Sequence, residues 1–471
     1  MIPVSCGEIA DAVRGELVGV EPTAVVDGAV VIDSRGAEPG GLFVALPGER
    51  VDGHDFVGTA TAAGVTVSLT TRAVDGSPCI VVDDAERALG DLARLVIGRL
   101  PALTVIGLTG STGKTSTKDL IGQLIRPYGE TVCPEGSFNN ELGHPLTALQ
   151  ASPSTKYLVA EMGARHAGDI TYLTGITPPA VGLVLNVGTS HVGEFGSQDN
   201  IAIAKGELIE AVRPGGTAVL NADDHRVAAM RSRTQEKVLT FGEAPEADVR
   251  ATDVKLDGEG RAAFALHIGG GTESAAPAFS GAVQLQLIGE HHVSNALAAA
   301  AVALAVGLTP EQIADGLNAA QRVSAARMEL TERADGVTII NDAFNANPDS
   351  TRAALKSLVA IGRSRGARTW AVLGEMLELG DTSADEHDAI GRLVVRLDVN
   401  RLLVVGEGAK PIHLGASLEG SWGDESAFVD TIPDALELLR SELRAGDVVL
   451  VKSSKGSKLR SLADALLEDA Q

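Results

Sequence analysis

Aromatic residues are scarce in this chain of 471 residues: nine Phe, three Tyr and two Trp make up only 3% of it. Its cores must therefore be packed chiefly from Val, Leu, Ile and Ala. Cysteine is rarer still, with Cys6, Cys79 and Cys133 far apart. They fit no zinc or redox spacing, and an odd, unpaired set suits a reducing compartment. Basic residues are outnumbered, 39 Lys and Arg against 62 Asp and Glu, for a net charge of −23. That balance argues against a nucleic-acid partner, whose phosphates need a basic face. It leaves a nucleotide open, since a few local donors and a helix N-terminus hold one. Long apolar runs are also missing. The longest, residues 296–308, falls short of the roughly 20 residues that cross a bilayer and reads as a buried helix. The N-terminus, Met1-Ile2-Pro3-Val4-Ser5-Cys6, lacks the charged start and apolar core of a secretion signal. We expect a cytoplasmic, monomeric chain without membrane insertion.

What is present is an alternation of strand and helix signals. The length implies more than one core. In the first hundred residues, 29–33, 42–46 and 79–82 read as short strands, followed by a helix over 84–100 with Leu89, Leu92, Ala93, Val96 and Ile97 on one face. In the middle region, 105–108, 157–160, 181–185 and 218–220 read as strands separated by helices, the pattern of a mostly parallel sheet covered on both faces. Residues 243–290 alternate polar and apolar, carry Gly269, Gly270 and Gly271, and read as an antiparallel extension. In the last region, 337–340, 369–373, 402–405 and 448–451 imply a second, smaller α/β sheet. The expected fold class is α/β in three domains, 1–101, 102–326 and 327–471.

The most informative segment is Thr109-Gly110-Ser111-Thr112-Gly113-Lys114-Thr115, between a strand and a helix that starts near Thr115. Gly110 and Gly113 let the backbone curl so that successive N–H groups converge on one oxyanion. The helix N-terminus adds partial positive charge. Lys114 is placed to bridge the outer phosphates and the Thr115 hydroxyl to bind Mg²⁺. The usual P-loop spacing would put its first glycine where Leu108 stands. The flanking strand and helix nevertheless mark a phosphate site, and ATP is the expected ligand.

Other residues follow the strands of the same sheet. Ligands bind outside the carboxyl ends of parallel strands, which puts Glu161 and His191 on the P-loop edge. Each has an ordinary alternative, a helix cap for Glu161 and a loop histidine for His191. Lys205, on a helix starting near Asp199, reads by spacing alone as a solvated lysine paired with Glu207 or Glu210.

The chain resembles the Mur ligases, bacterial enzymes that add amino acids to the peptidoglycan precursor. The resemblance covers nearly its full length. It is carried by the 109–115 loop, Asn139-Asn140-Glu141-Leu142-Gly143, Glu161-Met162-Gly163-Ala164, Asn341-Asp342-Ala343-Phe344-Asn345-Ala346-Asn347-Pro348-Asp349-Ser350, and Leu373-Gly374-Glu375-Met376-Leu377-Glu378-Leu379-Gly380. It implies a uridine-nucleotide domain, a central P-loop domain and a Rossmann-like C-terminal domain. It implies Mg²⁺ at Thr115, Glu161 and His191, with Lys205 carbamylated as a further ligand. It assigns Asn295, Arg327 and Asp342 to ATP. In this reading Ser34, Arg35, Asn140, Asn345 and Asn347 face the other substrates.

These segments match the branch that joins D-alanyl-D-alanine to a UDP-N-acetylmuramoyl-tripeptide through an acyl phosphate. Alternatives within reach of the sequence are a folate polyglutamate ligase, a paralogue with another amine acceptor, and a nucleotide-binding scaffold without catalysis. A domain ahead of the P-loop argues against the folate ligase. Phe344 in place of the family's common tyrosine, Lys452-Ser453-Ser454-Lys455-Gly456, and Ser324-Ala325-Ala326 ahead of Arg327 depart from the family pattern. They put the acceptor in question more than the ATP chemistry.

Overall fold

The computed structural model describes residues 1–48, 51–269, 279–420 and 425–468. The chain forms three main sheets. The first runs in the order Glu16–Val18, Cys79–Val81, Val67–Thr70, Leu42–Val44, Val30–Val31, parallel except for the first pair. Asp84 accepts from the backbone N–H groups of Glu86 and Arg87 and so starts the helix Ala85–Gly98. The expected apolar face of that helix is buried. Val67–Thr70 had no sequence expectation, because its buried Ser68 and Thr70 break the apolar signal.

The central sheet has nine strands. They run parallel from Thr131–Val132 through Tyr157–Glu161, Thr104–Thr109, Val181–Val184, Thr217–Asn221 and Lys237–Gly242 to Val249–Leu256. Arg261–Ile268 and Phe279–Ile288 then extend it antiparallel. The expected extension is therefore present, although its first strand joins in parallel. Gly270 and Gly271 lie outside the described residues. The register matters for function. Leu108 pairs with Glu161 and Thr109 with Val184, so three neighbouring strands end at one level. Whatever follows each strand is delivered to the same edge.

The third sheet runs Glu329–Glu332, Thr338–Asn341, Val448–Lys452, Thr369–Leu373, Arg401–Val405, Ser426–Val429, with only the first pair antiparallel. Its two edge strands were not legible, being short and half-polar. The helix Pro348–Arg365 begins with Asn347 as its cap and Pro348 in its first turn.

The apolar run at 296–308 falls largely in the helix His291–Ala305, which packs against the helix Lys114–Ile125 and the central sheet. Every residue from Ala296 to Ala303 is buried. A helix buried on all sides is apolar on all sides, and its alanines let the neighbouring helix come close. Ala299→Leu should overpack this contact and cost about 1–3 kcal/mol. The denaturation midpoint measures it, and an unchanged midpoint would contradict the packing.

Candidate active site

The loop between Thr104–Thr109 and Lys114–Ile125 is held by its neighbours. Gly113 has φ 79°, the left-handed region, and a Cβ there would stand 2.5 Å from Asn295 Oδ1. Asn186 Oδ1 accepts from Thr112 N at 2.9 Å, its Nδ2 donates to Thr112 O at 3.3 Å, and its carbonyl accepts from Ser111 N at 3.1 Å. Ser111 Oγ accepts from Gly188 N at 2.9 Å, and Ser190 Oγ donates to Ser111 O at 3.1 Å. Lys114 Nζ folds back to donate to Gly110 O at 2.7 Å. Burial pushes the Lys114 pKa down; Glu161 opposes this and Arg327 adds to it.

Glu161, at the end of its strand, is buried and saturated with donors. Its Oε2 accepts from Thr115 Oγ1 at 3.0 Å, and its Oε1 accepts from Ser137 Oγ and Asn139 Nδ2, both at 2.7 Å. It caps no helix. His191 adopts φ 60° and places Nδ1 2.7 Å from Glu378 Oε2, without hydrogen-bond alignment. Arg165 lies 3.2 Å from the other oxygen of Glu378. His191 first, then Arg165, hold the Glu378 carboxyl below its usual range against the effect of burial.

Lys205 corrects its spacing-based reading. It lies on the helix Gln198–Glu210 but is 3% exposed and pairs with neither Glu207 nor Glu210. Glu207 accepts from Gly168 N and Thr171 N, and Glu210 pairs with Arg233. Helical spacing cannot tell the buried side of a helix with so weak an amphipathic pattern. Burial, aided by the charge of Lys114, drives the Lys205 pKa well below the usual lysine value.

The opposite wall comes from the third sheet. Arg327 Nη2 donates to Thr115 Oγ1 at 3.1 Å, and its guanidinium lies 4.0 Å from the centre of the Phe344 ring. Burial lowers its pKa, with Glu161 and Asp342 opposing. Asp342 Oδ2 accepts from Lys452 Nζ at 2.5 Å, and Lys452 also donates to Asn345 O at 3.0 Å. Asn347 caps its helix and its side chain donates to Ser190 Oγ. Together these walls enclose a cleft of about 1200 Å³.

The cleft collects most of the residues singled out in the sequence: the 111–115 part of the loop, Asn140, Glu161, His191, Lys205, Asn295, Arg327, Asp342, Asn345 and Asn347. Thr109 and Gly110 sit buried beneath it. Asn140 also caps the start of the helix Gly143–Ala148 through Gly143 N. Asn295 lies inside its helix rather than at the cap, against Gly113. Ser34 and Arg35 do not line the cleft. Arg35 is largely exposed and forks onto Asp33. Ser137, Asn139, Asn186, Glu378 and Lys452 join the site without having been singled out. Asn139, Glu378 and Lys452 lay in segments already named in the sequence and Asn186 just past a central strand, whereas Ser137 carried no signal.

A strand–P-loop–helix unit whose phosphate edge is closed by an arginine from the connection into a further α/β sheet defines an ATP-dependent ligase of the Mur type. Three family models agree. The Mur ligase family catalytic domain matches residues 28–96, the Mur ligase middle domain 108–303, and the Mur ligase glutamate ligase domain 326–455. The chain belongs to the Mur ligase family. Within it, the chain is 48% identical to the UDP-N-acetylmuramoyl-tripeptide–D-alanyl-D-alanine ligase of Mycobacterium tuberculosis, over 100% of its own length and 98% of the relative's. Among solved structures, a MurF of Acinetobacter baumannii superposes with a TM-score of 0.87 at 34% identity, covering 99% of both chains. The MurF ligase of Thermotoga maritima, solved in complex with ADP, superposes at 0.78 with 27% identity, covering 94% of this chain and 98% of that one.

Gly113→Ala should weaken ADP binding at least about tenfold, since an added Cβ strains the backbone and displaces Asn295. Calorimetric titration of the folded variant tests this, and unchanged affinity would show that the loop tolerates another shape.

Proposed function

We propose that this chain is an ATP-dependent peptide-bond ligase that joins D-alanyl-D-alanine to UDP-N-acetylmuramoyl-tripeptide, releasing ADP and phosphate. Full-length likeness to ligases of that name supports the substrates. The observation that carries the ATP chemistry is the contact of Arg327, in the connection just before the third sheet, with Thr115 of the P-loop. The proposed units are 1–101 for the uridine substrate, 102–326 for ATP, and 327–471 for the acceptor and further nucleotide contacts. No helix among the described residues is long and apolar enough to cross a membrane. We place the reaction in the cytoplasm, where ATP and the nucleotide-linked precursor are available.

A carboxylate does not acylate an amine in neutral water because its leaving group is poor. The tripeptide's terminal carboxylate attacks the γ-phosphate, giving an acyl phosphate. The amine of D-alanyl-D-alanine then attacks that carbonyl and expels phosphate. The first attack sets anion against anion, so the protein's task is positioning and charge compensation. Lys114 and Arg327 compensate charge on the phosphates. Gly113 and the backbone behind it cradle them, and Asn295 and Asp342 orient the nucleotide. Asn140, Asn345 and Asn347 supply polar contacts to the substrates from the cleft wall, while Ser34 and Arg35 are available to the uridine nucleotide from the first sheet.

The donor set also fits Mg²⁺. Among the described residues no cluster of three or more His, Cys, Asp and Glu forms. Thr115 and Glu161 offer two oxygens 3.0 Å apart, with His191 and Lys205 in the same cleft. Few protein ligands suit an ion that keeps several waters and binds phosphate. When bound, it neutralises charge on the phosphate oxygens. Lys205 is a buried residue on the cleft wall whose Nζ forms no hydrogen bond or ion pair among the described residues, and burial pulls its pKa well down. A neutral amine adds to CO₂, and the resulting carbamate would be an anion facing the site.

The decisive assay follows phosphate release with ATP, Mg²⁺, UDP-N-acetylmuramoyl-tripeptide and a panel of amines. Release with D-alanyl-D-alanine is expected; release only with another amine would overturn the acceptor. Lys114→Ala should retain the uridine substrate yet lose at least about a hundredfold in kcat, and near-normal turnover would remove the P-loop from the mechanism. Lys205→Ala should be impaired and partly rescued by a short-chain carboxylic acid. Full unrescued activity rules out the carbamate.

A further inference from the structure

The helix Lys114–Ile125 repeats a pattern one turn on. Lys114 and Thr115 face the phosphate site, and Lys118 and Asp119 follow at i+4, on the same side. Both members of the second pair are buried, at 2% and 8% exposure, and they form an ion pair at 3.0 Å. Neither lines the main cleft. Each holds a different loop. Lys118 Nζ donates to Pro134 O and, at 2.7 Å, to Gly136 O, fixing the segment that brings Ser137 and Asn139 to Glu161. Asp119 Oδ2 accepts from Ser324 N at 3.2 Å, three residues before Arg327.

The two loops are also tied to each other, because Ser324 Oγ accepts from Gly136 N at 3.2 Å. One turn further along, Gln123 makes a reciprocal pair with the backbone of Gln321, at 2.9 Å in both directions. Beyond this zipper the connection turns abruptly. Ala326 and Met328 both adopt left-handed φ, 54° and 48°, and between them Arg327 points at Thr115. Strained backbone on both sides of one functional side chain needs a fixed base from which to project. Gln123 and Asp119 anchor that base to the same helix that carries Lys114 and Thr115.

We infer that Asp119, supported by Lys118, is a positioning residue that sets where Arg327 meets the nucleotide. The second turn of the P-loop helix thereby determines the arrangement of groups around its first turn. A carboxylate serves both contacts at once, with one oxygen for Lys118 and the other for Ser324 N. This inference rests on the assignment of Arg327 to the ATP phosphates made above.

A double-mutant cycle on the full-length enzyme tests it, read as kcat and KM for ATP and for the UDP substrate. Asp119→Ala should lower kcat/KM for ATP about tenfold, as for loss of one well-placed charged contact, with KM for the UDP substrate unchanged. Asp119→Asn, which keeps an acceptor for Ser324 N, should recover most of that loss. In an Arg327→Ala background Asp119→Ala should add almost nothing, because residues acting through one contact are not additive. The same tenfold loss in both backgrounds would overturn the positioning role while leaving Arg327 in place. An Arg327→Ala enzyme with unaltered ATP kinetics would overturn the assignment of Arg327, and this inference with it. If Asp119→Ala fails to fold, Lys118→Met, which removes the ion-pair partner of Asp119, takes its place in the cycle, where independence from Arg327 again counts against the inference.

Discussion

Two buried cations, Lys114 and Arg327, share a cleft in a protein whose net charge is −23. Burying like charges together is unfavourable unless something anionic answers them. Glu161 is the nearest carboxylate, but two of its donors are the neutral Ser137 and Asn139, and a third is the Thr115 hydroxyl. Lys114 uses a backbone carbonyl, and Arg327 a hydroxyl and an aromatic face. Neither cation is met by a carboxylate oxygen, and a phosphate at the P-loop is a ligand that both can answer. The overall acidity keeps other polyanions away, so the cleft attracts a small anion without the protein attracting nucleic acid.

Several residues in the segments that depart from the family pattern make contacts in the same region. Phe344 lies beneath the Arg327 guanidinium, where a ring face is what the cation needs. Lys452 is spent on Asp342 and the Asn345 carbonyl, holding the strand-end turn beside the nucleotide edge. Ser324 is bound to Asp119 and Gly136. These contacts account for Ser324, while Lys452 is shared with the family pattern and nothing in the structure explains phenylalanine rather than tyrosine at 344, Ser453 or Lys455.

How far the sequence could be read depended on whether a signal was local. The P-loop announced itself because its glycines, its lysine and its flanking elements are contiguous. Glu161 and His191 followed from one topological rule, that neighbouring parallel strands end together, and the pairing of Leu108 with Glu161 bears out the placement. Lys205 defeated the spacing argument because its burial comes from contacts between helices distant in sequence. Ser137 and Asn139 arrive on a loop after the two-residue strand Thr131–Val132, too short for any periodicity. Glu378 is set by a left-handed turn at a non-glycine residue, which composition does not foretell.

Part of the seam between the central and third sheets is made from backbone and short side chains, and this bears on closure. A Cβ on Gly193 would meet Gly380 N at 2.6 Å, so the two chains touch at their glycines. Thr189 N donates to Asp349 Oδ2 at 3.2 Å, and Asn347 reaches Ser190. Arg165 and His191 meet Glu378 across the same seam, and the close backbone contacts tolerate little displacement. They also use the 188–193 segment, which holds Ser111 on one side and carries His191 on the other. A shift of the third sheet would therefore be felt by the phosphate loop as well as by Arg327. An acyl phosphate hydrolyses if water reaches it, so a seam that registers closure at the P-loop ties activation of the carboxylate to exclusion of solvent.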